Sequence, residues 1–386
     1  MKVALRMTVV AVLLVGLIGG AFRLAAEDAS TSKPSAATEA KTPPKSVAEE
    51  IGSLRNAKVA IAVPADKKIE LTYFGSLTEA EKAELSKLAP NVKVVGGLSA
   101  AEALARAEEA HGIDAKFANP EFLARAKNLV WVQATSAGVD RYIEIESLVK
   151  NDAIVLTNFR AVHGPSIADH AMAMLLSVTR DLRRYTTDDA TRAKSQGKIA
   201  GPTALDGKTI LVVGIGGIGT EIAQRAHGFG MRVIGTRRST TPSPSFIEKV
   251  GQPQDLLKML PEADVVAIAV PLTPETVGMF NAEAFSAMKR GAYLINIARG
   301  KIVETDALVE ALKSGKLAGA CLDVTEPEPL PAQHPLRLFS NVIITPHVAG
   351  QSEVTDQRRS ALLVEQLRRF GTGEPLYNVV DKKAGY

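Results

Sequence analysis

At 386 residues the chain is too long for one small domain and comfortable for two. Its 46% hydrophobic and 23% charged content is ordinary for a chain with a full core, which excludes a wholly disordered, collagen-like or coiled-coil protein. A single cysteine, Cys321, excludes an intramolecular disulfide and a zinc site built on cysteine pairs. The net charge of +4, from 46 basic and 42 acidic residues without a basic stripe, gives no nucleic-acid footprint.

In chain order, the first feature is an uncharged, mostly apolar run at residues 7–22, preceded by Lys2 and Arg6 and followed by the small-residue stretch Leu24-Ala25-Ala26. These are the three parts of a secretory signal peptide, predicted over residues 1–26. The run is short for a spanning helix, which needs about 20 residues, but an uncleaved anchor is the open alternative. Either way the positive flank stays inside, so the bulk of the chain is expected outside, in the periplasm or anchored to the outer face of the membrane. Without use of the segment as a signal, the chain stays cytoplasmic. Residues 27–53 read as a flexible linker: between 27 and 50 the only branched aliphatic is Val47, too little apolar area to offset chain entropy.

From Lys58 onward strands and helices alternate, the pattern of parallel βαβ units. Strands are predicted at 59–63, 92–95, 129–133 and 153–157. Helices are predicted at 78–88, where Thr78-Glu79-Ala80-Glu81 makes a capping box, and at 100–110. A long helix is predicted at 165–185, with Pro165 suited to its first turn and Ile167, Ala171, Met174, Leu175 and Val178 on one apolar face. A second series follows, with strands at 209–213, 232–236, 265–270, 292–297, 319–324 and 342–345. A last helix covers 353–370.

Ile210-Leu211-Val212-Val213 leads into Gly214-Ile215-Gly216-Gly217-Ile218-Gly219 and then a helix from Ile218. Strand, glycine loop and helix inside one βαβ unit are the context a dinucleotide fingerprint requires. Gly214 permits the tight turn, Gly216 lets the backbone approach a pyrophosphate, and Gly219 lets the helix pack on the strand. The helix N-terminus offers free amides and a positive dipole end. The next strand ends Gly235-Thr236-Arg237-Arg238-Ser239, with no acid to bond ribose hydroxyls. An arginine there can hold a 2′-phosphate, with Thr236 and Ser239 as hydroxyl donors, so NADP is expected over NAD, which stays possible.

Three motifs lie at later strand ends: Asn296-Ile297-Ala298-Arg299-Gly300, Leu322-Asp323-Val324-Thr325-Glu326-Pro327-Glu328-Pro329-Leu330, and Thr345-Pro346-His347-Val348-Ala349-Gly350. Ligands of open parallel sheets bind beyond these ends. Reduction of a 2-keto acid needs a cation for the carboxylate, a proton donor for the carbonyl and a hydride source. Arginine clamps carboxylates, histidine delivers protons near neutral pH, and an adjacent carboxylate favours the protonated imidazole. Glu326 and Glu328 are both candidates for that carboxylate.

With these motifs, and with Pro271-Leu272-Thr273-Pro274-Glu275-Thr276, residues 59–380 resemble the D-isomer-specific 2-hydroxyacid dehydrogenase family, in particular its glyoxylate and hydroxypyruvate reductases. The resemblance implies an α/β fold of two doubly wound parallel-sheet domains. A flavodoxin-like substrate-binding domain would comprise 54–160 and 348–386, and an inserted Rossmann cofactor domain 161–347. It implies Arg299 on the substrate carboxylate and keto oxygen and His347 as acid/base. Glu328 would be the partner of His347, because it follows Arg299 by the family's 29 residues (328 − 299) and Glu326 does not. The turn Ser136-Ala137-Gly138-Val139-Asp140 resembles the substrate loop, with Ser136, Ala137 and Gly138 at the carboxylate. Cofactor contacts are implied for the glycine loop (Gly214, Gly216, Gly217, Ile218, Gly219) and the strand end Thr236, Arg237 and Arg238. Further along they are implied for Pro271, Leu272 and Thr276, for Ile297 and Ala298, and for Asp323 and Gly350, Asp323 holding the nicotinamide carboxamide. No metal is implied, and the family implies a homodimer. The activity implied is reduction of a 2-keto acid to a D-2-hydroxy acid; the alternative is a dinucleotide-binding sensor or partner-binding module of the same fold with little turnover. Two departures stand out: Arg237 replaces the family's usual acid, and an apparent export signal precedes a typically cytoplasmic fold.

Overall fold

The computed structural model describes residues 70–182 and 202–386. The predicted signal segment, linker and strand at 59–63 lie outside the described residues, as does the end of the helix predicted to reach residue 185.

Two parallel sheets form. The first has the order β2-β1-β3-β4-β5, from β1 (Leu71–Phe74), β2 (Val92–Val95), β3 (Gly112–Asp114), β4 (Trp131–Gln133) and β5 (Val155–Thr157). The second comprises β6 (Thr209–Val213), β7 (Arg232–Thr236), β8 (Lys249–Gly251), β9 (Val265–Ile268), β10 (Ala292–Asn296), β11 (Leu317–Leu322) and β12 (Val342–Ile344). Its order is β12-β11-β10-β9-β6-β7-β8. All pairings between named strands are parallel. Both orders reverse beside their first strand, the doubly wound arrangement expected from alternating strands and helices.

The continuous apolar run of β6 is buried on both faces. Leu211 and Val213 join one core with Val266, Leu294 and Ala320; Ile210 and Val212 join another with Val265, Ala267 and Ile295. The two-residue period of a strand divides one apolar stretch between two cores, as a sheet covered by helices on both sides demands.

Among the described residues five helices are nine residues or longer: α1 (Glu79–Leu88), α2 (Gly164–Thr179), α3 (Gly217–Gly228), α4 (Thr305–Lys313) and α5 (Glu353–Thr372). The capping box read from sequence closes α1, with Glu81 N–H donating to the Thr78 hydroxyl and Thr78 N–H to the Glu81 carboxylate at 2.6 Å. The apolar face of α2 (Ala168, Ala171, Met174, Leu175) packs with Ile222, Ala223 and Ala226 of α3. Helix α5 returns the chain to the first sheet. Leu367 and Phe370 share a core with Leu71, Tyr73 and Trp131, the Trp131 and Phe370 rings lying 5.0 Å apart. Val379 then bridges antiparallel to Thr157.

Three expectations need correction. The helix predicted at 100–110 is α-helical only over Ala100–Ala105 and continues as a 3₁₀ turn at Ala107–Glu109. The helix predicted to start at 165 stops at Thr179, where Arg180 caps it and Asp181 turns into the left-handed region at φ 53°. Strands β1, β3 and β8 went unpredicted. They are four, three and three residues long, too short for a clear alternation, and are held by neighbouring strands rather than by their own pattern.

Candidate active site

Strand β6 ends at the point where the second sheet's order reverses, and the glycine loop follows it. Gly214 adopts φ +102°, and a Cβ there would meet Ala269 O at 2.8 Å. A Cβ on Gly219 would lie 2.0 Å from Gly214 O, so the close approach of α3 to its strand excludes any side chain. Gly216 differs: among the described residues beyond its chain neighbours, a Cβ there would have only the Nη2 of Arg160 within 4 Å, at 3.6 Å. The backbone at Gly216 therefore faces room rather than packing, as a bound pyrophosphate requires.

Strand β7 runs beside β6, and the arginine pair Arg237-Arg238 follows its end. Thr236 is buried, and its carbonyl accepts the N–H groups of Gly214 and Ile215 at 3.0 and 2.8 Å. It seats the glycine loop; the open hydroxyl expected from sequence is not what it offers. The Nε of Arg237 is buried with no hydrogen-bond partner among the described residues. The Arg238 guanidinium stacks on the Tyr386 ring, 4.1 Å from its centroid. Glu275 nearby has its carboxyl held below the usual range, chiefly by the Thr273 hydroxyl, with Arg238 adding a smaller pull. An orphaned guanidinium nitrogen and an open glycine face both fit a phosphorylated dinucleotide. Pro271 and Thr276 belong to a self-contained turn: the Thr276 hydroxyl donates to Pro271 O at 2.8 Å and accepts from Thr273 N–H at 2.8 Å.

Strands β10, β11 and β12 are neighbours, so their three C-terminal motifs emerge side by side. Asn296 shapes the first, donating to Arg299 O at 3.0 Å and accepting from Ala298 N–H at 3.1 Å. Ile297 and Ala298 are buried beneath it. Gly300 packs against the second motif, where a Cβ would lie 2.0 Å from Thr325 O. In that motif one oxygen of Glu328 meets His347 Nδ1 at 2.8 Å and the other accepts from Thr325 N–H at 3.3 Å. The spacing argument for Glu328 over Glu326 thus agrees with the geometry.

His347 takes a left-handed φ of 55°, unusual for a residue with a side chain. Asp323 explains how that turn is held. Buried at 2% exposure, it accepts from Thr345 Oγ1 at 2.7 Å, Val348 N–H at 2.9 Å and Ala349 N–H at 3.0 Å, while its carbonyl accepts from His347 N–H at 2.9 Å. His170 completes the network through Thr345 Oγ1 at 2.9 Å. Gly350 closes the turn against His163, whose imidazole burial pushes down to about 4. Burial likewise pushes the Cys321 thiol up, so it is inert.

From the first sheet comes the turn after β4. Ser136 O accepts from Phe159 N–H at 3.0 Å, Ala137 O from Asn158 Nδ2 at 2.8 Å, and Gly138 O from Ser136 Oγ at 2.7 Å. No described residue accepts from the amides of Ser136, Ala137 or Gly138. Arg299 faces this turn: its Nη2 lies 2.0 Å from where a Gly138 Cβ would be and 3.0 Å from Asp140 Oδ1. The arrangement brings a guanidinium against a turn whose N–H groups have no acceptor among the described residues.

Two residues near the site were missed. Asp140 was read only as part of a turn, and Arg160 not at all. The ion pair Arg299–Asp140 spans 159 residues, and no local spacing announces it.

The family model for the D-isomer specific 2-hydroxyacid dehydrogenase, NAD binding domain, matches residues 172–349. A glyoxylate reductase from Thermofilum pendens is 37% identical over 276 residues, covering 68% of this chain and 78% of that one. A D-isomer specific 2-hydroxyacid dehydrogenase from Xanthobacter autotrophicus Py2, solved in complex with NADPH and MES, superposes with a TM-score of 0.69 at 30% identity. The match covers 82% of this chain and all of that one. An NADPH-dependent glyoxylate/hydroxypyruvate reductase from Sinorhizobium meliloti, in complex with NADP and sulfate, gives 0.66 at 28% identity with the same coverage. With its two parallel-sheet domains and its glycine loop, this chain belongs to the D-isomer specific 2-hydroxyacid dehydrogenase family and is an NAD(P)-dependent enzyme.

Proposed function

We propose that the enzyme reduces a small 2-keto acid of the glyoxylate or hydroxypyruvate class to the D-2-hydroxy acid, with NADPH preferred over NADH. The observation that carries this reading is the meeting of Arg299 with the amide-bearing turn at Gly138, at the end of a strand two places from the one that delivers His347. Arg299 and the amides of Ser136, Ala137 and Gly138 hold the substrate carboxylate, and Arg299 also polarises the keto oxygen. The bound dinucleotide supplies the hydride. His347 gives the proton to the oxygen, its Nδ1 fixed by Glu328 so that Nε2 is the donor. Asp323 acts at the nicotinamide carboxamide and also holds the turn that carries His347. Arg237 and Arg238 take the 2′-phosphate, a reading supported by the orphaned Arg237 Nε and by relatives solved with NADPH or NADP. The apolar run at residues 7–22 supports export, which fractionation of the producing cell tests directly.

The test is oxidation of NADPH and of NADH by the full chain with glyoxylate, hydroxypyruvate and phenylpyruvate, beside His347→Ala and Arg237→Ala. Expected are NADPH-dependent turnover, its loss by about 10²–10⁴-fold in His347→Ala, and a narrowed NADPH preference in Arg237→Ala. Equal use of both cofactors by the unaltered enzyme would remove the 2′-phosphate assignment. Cofactor binding without turnover on any keto acid would move the chain to the sensor reading.

A further inference from the structure

We propose that Arg160 is a cofactor-binding residue that takes the dinucleotide's pyrophosphate, and so ties the first sheet to the glycine loop of the second. Four observations converge on it. The loop Gly214-Ile215-Gly216-Gly217-Ile218-Gly219 contains no side-chain cation of its own, so its amides and the α3 dipole supply only partial positive charge against two phosphate charges. Among the described residues beyond its chain neighbours, the one atom bordering the open face of Gly216 is the Arg160 Nη2, 3.6 Å from the missing Cβ. A guanidinium there is suited to two phosphate oxygens at once.

The backbone that aims this side chain is held on both sides. Arg160 N–H donates to Asn158 Oδ1 at 3.2 Å, and Arg160 O accepts from Asn378 Nδ2 at 3.0 Å. The next residue, Ala161, sits in the left-handed region at φ 67° although it is not glycine. Its Cα and Cβ lie 3.4 Å from where a Gly217 Cβ would be, so this strained turn lies directly on the glycine loop. Strain of this kind persists where surrounding structure over-determines it, commonly at ligand clamps.

Arg160 follows β5 of the first sheet, and the loop follows β6 of the second. A pyrophosphate between them is gripped from both sheets, so cofactor binding favours the arrangement in which Arg299 meets the 136–138 turn. This inference needs only a dinucleotide at the loop; it does not depend on the preference for NADPH.

The experiment is calorimetric binding of NADP⁺, NAD⁺ and adenosine 2′-monophosphate to the full chain, to Arg160→Gln and Arg160→Lys, and to Arg237→Ala. Arg160→Gln is expected to weaken NADP⁺ and NAD⁺ alike, by about tenfold, and to leave adenosine 2′-monophosphate within about twofold. Arg160→Lys is expected to recover part of the loss. Arg237→Ala should show the complementary pattern, weakening NADP⁺ and the monophosphate and sparing NAD⁺. Failure of that last pattern would count against the NADPH preference and leave Arg160 standing. Wild-type affinity of Arg160→Gln for both dinucleotides would overturn the proposal. So would an equal loss for all three ligands, because the monophosphate has no pyrophosphate to lose.

Discussion

Gly138→Ala isolates the geometry on which the proposed chemistry rests. The new methyl carbon would sit 2.0 Å from Arg299 Nη2 and 2.9 Å from both Arg299 Cζ and Asp140 Oδ1. Reaching ordinary contact at 3.4 Å requires the guanidinium to move by about 1.4 Å (3.4 − 2.0). The displaced atoms are the end of a flexible side chain and Gly138 does not occupy a left-handed φ, so the fold should absorb the change. A misplacement of about 1 Å in a positioning group costs on the order of 10²-fold in rate, or about 2.7 kcal/mol of transition-state stabilisation. Expected, then, is a kcat/KM for the keto acid lower by about 10²-fold, with a Tm within about 2 °C of the parent and an unchanged Kd for NADPH. Steady-state kinetics, thermal melting and cofactor fluorescence titration provide the three readouts. Unchanged kcat/KM would refute the placement of Arg299 against this turn. A large fall in Tm would refute the claim that only the guanidinium yields.

Other perturbations test the supporting structure. In Gly219→Ala the methyl would lie 2.0 Å from the backbone oxygen of Gly214, which cannot swing away; dinucleotide binding should be lost and urea-measured stability should drop by about 1–3 kcal/mol. Asp323→Ala would leave the buried N–H of Ala349 and the N–H of Val348 unpaired, for an expected loss of about 2–5 kcal/mol and a collapse of kcat as the His347 turn relaxes. Chemical denaturation with parallel kinetics checks both. His163 binds its proton in the unfolded chain near pH 6.5 but in the folded one only near pH 4. Over that interval the unfolded state holds more protons, so stability should fall as pH falls, by up to about 3 kcal/mol. Melting curves between pH 7.5 and pH 4.5 should show a shallower decline in His163→Gln; an identical decline would mean that other groups set the acid limb.

Where a residue's role follows from its immediate neighbours, it was readable in advance. The strands β6 and β7 appear with the bounds their apolar runs predict, because a strand buried on both faces is a continuous block of aliphatics. The glycine loop was readable because its glycines follow one another between a strand and a helix, with Gly219 answering to Gly214 five residues before it, and α1 because Thr78 and Glu81 are three apart. The residues alone left Glu326 and Glu328 open, and the resemblance, through the family's 29-residue interval from Arg299, pointed to the carboxylate that meets His347. Strands β1, β3 and β8 were not readable, since segments of three or four residues carry little period and exist through their partners.

The same division runs through the functional residues. Local chemistry and spacing point to the fold class, the dinucleotide loop and the arginine pair after β7, because each lies in a short motif whose physics is contained in adjacent residues, while the choice of Arg299, Glu328 and His347 as a set came from the family resemblance. Folding adds what depends on long loops being closed. Asp140 and Arg299 meet across 159 positions. Asp323 spends its carboxylate on a turn 22 to 26 residues away, and Thr236 gives the loop a carbonyl in place of an exposed hydroxyl. Arg160 reaches a glycine loop that belongs to another sheet. The Asp140–Arg299 and Arg160 contacts arise when two separately wound sheets come together, the Asp323 and Thr236 contacts when strands distant in the chain become neighbours in one sheet, and the chain's linear order carries no trace of which ends will face each other.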